Sequence, residues 1–195
     1  MIRIANCSGF YGDRHAAARE MVEGGPIDVL TGDYLAELTM LILARSEEGY
    51  ARTFLRQMED VLSTCLERGI RVVSNAGGLA PAALAERVRM LGGRVAHVEG
   101  DDLRARFGGA ATANAYLGAW GIAEALAGGA DVVVTGRVTD ASLVVGPAAW
   151  RFGWARDDWD RLAGAVVAGH VLECGAHATG GNYAFFREIP GLEHP

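Results

Sequence analysis

The sequence lacks lysine: all 18 of the basic residues among its 195 are arginine. This absence excludes catalysis through a lysine Schiff base and phosphate binding by a P-loop lysine. Acidic residues number 24, so the formal net charge is −6. The chain therefore has no surplus of positive charge with which to neutralise the phosphates of a nucleic acid.

Cysteine is scarce, with three residues at Cys7, Cys65 and Cys174. An odd and sparse count argues against a disulfide framework and indicates a reducing compartment. No apolar stretch approaches the roughly 20 residues that a membrane span requires, and no basic-then-apolar leader opens the chain. These absences predict a cytoplasmic protein that does not enter a membrane.

Short runs of Val, Ile and other apolar residues are the dominant positive signal, because such runs bounded by glycine are typical of buried strands. The five runs cover residues 2–5, 27–30, 70–73, 95–98 and 131–134. Helical patterns separate most of them, which favours a parallel sheet covered on both faces. We predict one α/β domain over residues 1–195, with a three-layer, mostly parallel, Rossmann-like sheet of five or six strands. A sixth strand would cover residues 183–186.

Helices are expected between the strands and after the last one, with aspartates and Pro81 as signals for their first turns. The expected helices cover residues 13–23, 34–45, 50–68, 81–92, 112–126 and 160–174. Parallel strands bring their carboxyl ends to one edge, where ligands of open α/β sheets bind. Polar clusters follow all five strands, and we expect Cys7, Asp33, Asn75, Glu99 and Arg137 to lie together at that edge.

Two small-residue loops are candidate substrate-binding segments. The first loop contains Ser8, Gly9, Gly12 and Asp13, and the second contains Asn75, Gly77 and Gly78. The first follows a strand and precedes a helix, so its N–H groups could bind an anion, while the adjacent glycines of the second allow close approach of a ligand. Plain turn geometry explains the glycines of both loops equally well.

A third polar segment follows the fifth strand and comprises Thr135, Gly136, Arg137 and Asp140. Arg137 could hold a carboxylate or phosphate through two parallel hydrogen bonds, or it could form a salt bridge with Asp140 or Asp33. Both aspartates are acid/base candidates, and both could instead cap the helices that follow them.

Two further catalytic candidates are Cys7 and His170. Cys7 could be a nucleophile activated by a helix N-terminus, although a buried cysteine more commonly acts as a small apolar residue. His170, Glu173, Cys174 and His177 have spacings that stack them on one helical face and are metal-capable types. Gly175 interrupts that helix, so we expect no metal site and no metal requirement for folding; His170 would act as a hydrogen-bond donor.

Several segments together resemble the acyclic terpene utilisation AtuA-like family, formerly a domain of unknown function. They are NCSGFYGDR (6–14), LTGDYLAE (30–37), SNAGG (74–78), VTGRVTDAS (134–142), GHVLECG (169–175) and ATGGN (178–182). The resemblance spans nearly the whole chain, whereas the family domain continues beyond residue 195. One departure is His177, which stands where the family pattern has Gln.

The resemblance implies a role in the degradation of acyclic terpenes such as citronellol and geraniol, by a route through branched acyl-CoA thioesters. We therefore expect an enzyme with lyase, hydratase or hydrolase chemistry on a carboxylate or thioester, with no cofactor identified and acyl-CoA as a candidate substrate. The alternative is a non-catalytic acyl- or CoA-binding subunit that works with a partner enzyme. Expected partners are the small-molecule substrate and either a second copy of the chain or a C-terminal partner domain.

Overall fold

A computed structural model describes residues 1–175 and 178. The strands are β1 Ile4–Asn6, β2 Val29–Gly32, β3 Arg71–Ser74, β4 Val95–Val98 and β5 Val132–Thr135. The helices are α1 Ala17–Glu23, α2 Glu37–Ala44, α3 Arg52–Arg68, α4 Pro81–Arg89, α5 Trp120–Ala127, α6 Ser142–Phe152 and α7 Trp159–Glu173. All five expected strands form, each within two residues of its expected bounds. The sixth, over residues 183–186, lies outside the described residues.

The five strands form one parallel sheet in the order β1-β2-β3-β5-β4. The connections from β1 through β4 all run in one direction across the sheet, whereas the connection from β4 to β5 runs back. Because crossovers between parallel strands are right-handed, this reversal places α5 on the opposite face from α1, α3 and α4. The predicted three-layer α/β architecture is confirmed.

Alternate residues of the central strands supply two separate cores, as a sheet covered on both faces requires. Leu30 and Val72 pack with residues of α1, α3 and α4 on one face. Their neighbours Val29 and Val73 pack with residues of α5 and α6 on the other. The near-continuous apolar character of the strands follows from this double burial.

The expected helix over residues 112–126 is wrong in its first half, because α5 begins only at Trp120. The preceding segment is extended instead, and its backbone bonds to loops at the sheet edge. Ala115 donates to the carbonyl of Asp101 at 2.7 Å, and Leu117 donates to the carbonyl of Arg137 at 3.2 Å. These tertiary hydrogen bonds override the local helical pattern, and they hold residues 114–118 across the ends of β4 and β5.

The last helix, α7, is apolar on most of its surface, and its outer face remains exposed. Trp159, Val167 and Val171 are 70%, 67% and 58% exposed.

None of the seven helices in the described part of the chain combines the length and the apolar character that crossing a bilayer requires.

Candidate functional site

The carboxyl ends of all five strands lie at one edge of the sheet, because every neighbouring pair is parallel. Cys7, Asp33, Asn75 and Glu99 follow β1 to β4 directly, and Arg137 lies two residues beyond β5. The expected convergence of the five polar clusters is confirmed. The helices after the neighbouring strands β3 and β5 lie on opposite faces, which places the topological switch point between Asn75 and Arg137.

The loop after β1 is closed by its own carboxylate. The N–H of Gly9 donates to Asp13 at 2.8 Å, and the hydroxyl of Ser8 donates to the carbonyl of Phe10. Asp13 therefore serves this loop rather than capping a helix from residue 13, and α1 begins at Ala17. The N–H of Gly9 that was expected to meet a substrate anion already has an internal anionic partner.

Gly9 also forms the surface on which the C-terminal end of α7 rests. A Cβ at this position would lie 2.6 Å from the carbonyl oxygen of Cys174, so any side chain here would force the backbone at the end of α7 to move. The side-chain amide of Asn6 donates to the carbonyl of Glu173 at 2.9 Å. The loop after β1 thus positions the last turn of α7, which carries His170, at the sheet edge. Gly12 lies against the ring of Phe10.

Asp33 is almost fully buried and bonds to Asn75, which follows the neighbouring strand. Its Oδ1 accepts from the Asn75 amide at 2.6 Å and from the N–H of Leu35 at 3.0 Å. Asn75 in turn accepts from the N–H of Tyr34. Asp33 does not cap α2, which begins at Glu37. Burial raises the pKa of Asp33 to about 7, and the charges of Asp140 and Glu173 add to the effect.

Glycines of the loops after β3 and β5 allow close contacts within the protein. Gly77 donates to the carbonyl of Thr135, and a Cβ on Gly77 would lie 2.5 Å from that oxygen. A Cβ on Gly78 would lie 2.4 Å from a methyl of Leu43. A Cβ on Gly136 would meet the Asp101 carboxylate at 2.4 Å. These contacts favour the turn-geometry interpretation of the glycines, while their role toward a substrate stays a prediction.

The guanidinium of Arg137 is buried among internal partners. It donates to the carbonyl of Leu35 at 3.0 Å, to Asp140 at 3.1 Å and to the hydroxyl of Tyr116 at 3.0 Å, and it lies 4.3 Å from the centre of the Tyr116 ring. Of the two interpretations drawn from the sequence, these contacts match the salt bridge to Asp140. Asp140 is bound by Arg137 and forms no cap on α6.

His170 and Glu173 lie on one face of α7, as their spacing predicts, and the fold brings Asp140 to them. One ligand atom from each of the three side chains lies within 4.8 Å of the other two. The Nε2 of His170 is 3.9 Å from a carboxylate oxygen of Glu173. His177, the fourth member of the spacing pattern, lies outside the described residues.

A cavity of about 570 Å³ opens beside Asp140 and His170, between α5, α6 and α7. Its other polar lining comes from Tyr116, Thr139 and Ser142. The remainder is mainly apolar and is formed by Ala119, Trp120, Ala141, Val145, Leu162 and Val166. The sequence did not identify Tyr116 or Trp120 as site residues. Tyr116 lies before α5 and Trp120 begins it, whereas the expected helix over residues 112–126 included both. This volume falls in the range of about 300–1,000 Å³ that is typical of small-molecule sites.

Cys7 is a core residue in this arrangement. It is 5% exposed and packs in the core formed with α1 and α3. Burial raises the pKa of its thiol to about 12, the opposite of the lowered pKa that an activated nucleophile needs. We therefore leave Cys7 out of the proposed chemistry.

A family model described as acyclic terpene utilisation family protein AtuA matches residues 2–195. No curated protein and no solved structure matches the chain.

Proposed function

The chain belongs to the acyclic terpene utilisation family AtuA, and we propose that its cavity binds the branched apolar chain of an acyclic terpenoid acid or thioester. The observation that carries this proposal is a cavity that combines a mainly apolar lining with several polar side chains. Val145, Leu162 and Trp120 are among the apolar lining residues, and Asp140 and His170 are polar lining residues that could face a carboxyl or thioester group. An acyl chain in this cavity gains roughly 0.8 kcal/mol for each CH₂ removed from water.

The proposed reaction is that of a hydratase, lyase or hydrolase on the carbon atoms next to the acyl carbonyl or on the thioester itself. Adding water to a double bond, eliminating it, or hydrolysing a thioester each needs one group that accepts a proton and one that returns it. Asp140 and His170 line the same cavity, and one carboxylate oxygen and one ring nitrogen of the two lie within 4.8 Å of each other. Arg137 holds the Asp140 carboxylate in place, which makes Arg137 a positioning residue.

Asp33, whose charge interacts with that of Asp140, is a third acid/base candidate. Its raised pKa of about 7 is in the range where a carboxyl group both accepts and releases protons near neutral pH. Its partner Asn75 fixes its orientation, and the charge of an ionised Asp33 acts on Asp140 and Glu173. The Asp33–Asn75 pair would adjust the charge of the site rather than contact the acyl chain, because neither residue lines the cavity.

The test is ligand binding by a cavity-filling variant. Val145→Phe extends a side chain into the cavity, and Val167→Phe makes the same change on the exposed face of α7. The probe is a branched ten-carbon terpenoid acid and its coenzyme A thioester, measured by isothermal titration calorimetry. We expect the parent and Val167→Phe to bind the probe alike and Val145→Phe to bind at least ten times more weakly. Equal affinity in all three proteins, or no saturable binding, would exclude the cavity as the acyl site.

A non-catalytic acyl- or CoA-binding subunit is the second candidate function, and the exposed apolar face of α7 favours it. Trp159, Val167 and Val171 are exposed on one helix, and exposed apolar surface of this kind is a feature of protein–protein contacts where it is contiguous. The two candidates differ in His170. If the protein is an enzyme, the His170→Ala variant should still bind the acid but should no longer catalyse the reaction. Mass spectrometry detects the reaction as addition of water to the substrate or hydrolysis of the thioester. In a binding subunit, the parent protein shows neither reaction.

A further inference from the structure

Asp140, His170 and Glu173 form a three-residue cluster from two distant parts of the chain. Asp140 comes from the loop after β5, and the other two come from the last turn of α7. The three potential ligand atoms lie within 4.8 Å of one another. Imidazole nitrogen and carboxylate oxygen are the atoms that bind zinc, manganese and related divalent cations in proteins.

The burial of Glu173 is a second observation that favours a cation here. Only 8% of the residue and 11% of its side chain are exposed. Among residues 1–175 and 178, the only hydrogen-bond donor to its carboxylate is the Cys174 thiol, 3.2 Å away, and a thiol is a weak donor. A carboxylate that is removed from water without a strong donor or a cation is costly.

The charge balance around Glu173 points in the same direction. Asp33, Asp140 and Glu173 lie close enough for their charges to interact, whereas the cations facing them are Arg137 and, when protonated, His170. Arg137 already bonds to Asp140 and to two neutral groups, and it also pairs with the exposed Glu37 at 3.7 Å. In this part of the structure, three buried or half-buried carboxylates therefore face one permanent positive charge.

We propose that Asp140, His170 and Glu173 bind a divalent cation of the zinc or manganese class beside the cavity. Ligand atoms about 2.1 Å from a zinc ion are about 3.4 Å apart at the tetrahedral angle. The three side chains therefore have to close by about 1 Å or slightly more. His170 can make this movement because its side chain is 68% exposed, whereas Asp140 is held by Arg137 and Glu173 by the docking of α7.

The three protein ligands leave at least one coordination position, and the cavity lined by Asp140 and His170 provides the space for it. Three protein ligands with an open position are typical of catalytic rather than structural metal sites. In the proposed acyl site, such an ion would polarise the carbonyl or activate a water molecule. This role rests on the proposed function, but binding of the ion does not, and it is measured without any acyl ligand.

The experiment uses the full chain after treatment with a chelator and its removal by dialysis. Calorimetric titration with Zn²⁺ and separately with Mn²⁺, at pH 7.5 and without acyl ligand, measures stoichiometry and affinity. The variants are His170→Ala and Glu173→Gln, and the matched control is His15→Ala, which removes an exposed histidine that is not part of the cluster. Circular dichroism and thermal melting confirm that each variant is folded.

We expect one ion per chain in the parent and in His15→Ala, with affinity lowered at least 100-fold in His170→Ala and in Glu173→Gln. A second readout is thermal stability, because an ion present at 100 times its dissociation constant stabilises the folded state by about 2.7 kcal/mol. Failure of the parent to bind either ion would overturn the proposal. So would retention of full affinity by His170→Ala, or equal loss of affinity in His15→Ala. Each of these outcomes leaves the acyl-binding test with Val145→Phe unaffected.

Discussion

Replacing Asp33 with asparagine should stabilise the protein at neutral and alkaline pH. Asparagine retains the oxygen that accepts hydrogen bonds from Asn75 and from the N–H of Leu35, and it has nearly the same shape. The variant cannot ionise, so it avoids the cost of placing a negative charge in a buried site near Asp140 and Glu173. The other titratable groups that interact electrostatically with Asp33 are Arg137 and the Cys174 thiol.

The magnitude follows from the pKa of Asp33, which burial raises from 3.8 to about 7. Above pH 4 the unfolded chain loses the Asp33 proton, while the folded protein keeps it until pH 7. The folded state therefore loses stability through this group as the pH rises from about 4 to about 7. At about 1.4 kcal/mol for each pKa unit, the loss reaches about 4 kcal/mol at pH 8 and is well below 1 kcal/mol at pH 4.

The measurement is urea denaturation of the parent and Asp33→Asn between pH 4 and 8, with a chelator present because a bound cation would favour ionised carboxylates. The advantage of the variant should grow with pH to about 4 kcal/mol, or about 10 °C in melting temperature for a chain of this size. Asp157→Asn, which removes an exposed carboxyl group, controls for the loss of a carboxyl group as such. A difference between parent and variant that is the same at every pH, or that grows as the pH falls, would refute the reasoning.

Other substitutions test the remaining contacts of the site. Arg137→Ala should lower the free energy of unfolding by about 3 kcal/mol in urea denaturation, because it leaves the partly buried Asp140 unpaired; unchanged stability with weaker binding of the terpenoid acid would instead identify Arg137 as an anion anchor. Gly136→Ala should destabilise the protein by at least 1 kcal/mol, since its Cβ would overlap the Asp101 carboxylate. Gly164→Ala, with open space around its Cβ in α7, should stabilise it by about 0.5–1 kcal/mol, and a melting temperature that moves the same way in both glycine variants would contradict this account.

The sequence was sufficient to predict the sheet and the edge at which the polar residues gather. Buried parallel strands are short, apolar and bounded by glycine, so each one carries its own local signature, and parallel pairing then determines where the following residues lie. The strand order was not predictable in this way. It depends on which face each crossover covers, and nothing local distinguishes α5, which lies on one face, from α4, which lies on the other.

The errors occurred where tertiary hydrogen bonds replace local ones. Residues 114–118 have a helical composition, yet their backbone groups bond to Asp101, Arg137 and Thr139 across the sheet edge. This misplacement concealed Tyr116, whose hydroxyl and ring both contact Arg137. The sequence predicted that His170 and Glu173 would lie close together, because their spacing on one helix is a local property. The third member of the cluster, Asp140, is 30 residues before His170, and it joins them because α7 packs against α6 with Gly169 next to Ala141.

The arrangement at this edge is more costly than folding alone requires. Asp33 could be replaced by asparagine with its hydrogen bonds retained, and Glu173 is buried with a thiol as its donor. Groups with perturbed pKa values and poorly compensated charges cluster where a protein binds or transforms a ligand, and they reduce stability there.

A cation bound by Asp140, His170 and Glu173 would offset the excess negative charge and lower the pKa of Asp33. The stabilising effect of Asp33→Asn should therefore shrink when Zn²⁺ or Mn²⁺ replaces the chelator, and the same denaturation series measures that change. An equal effect with and without the ion would separate Asp33 from the metal site.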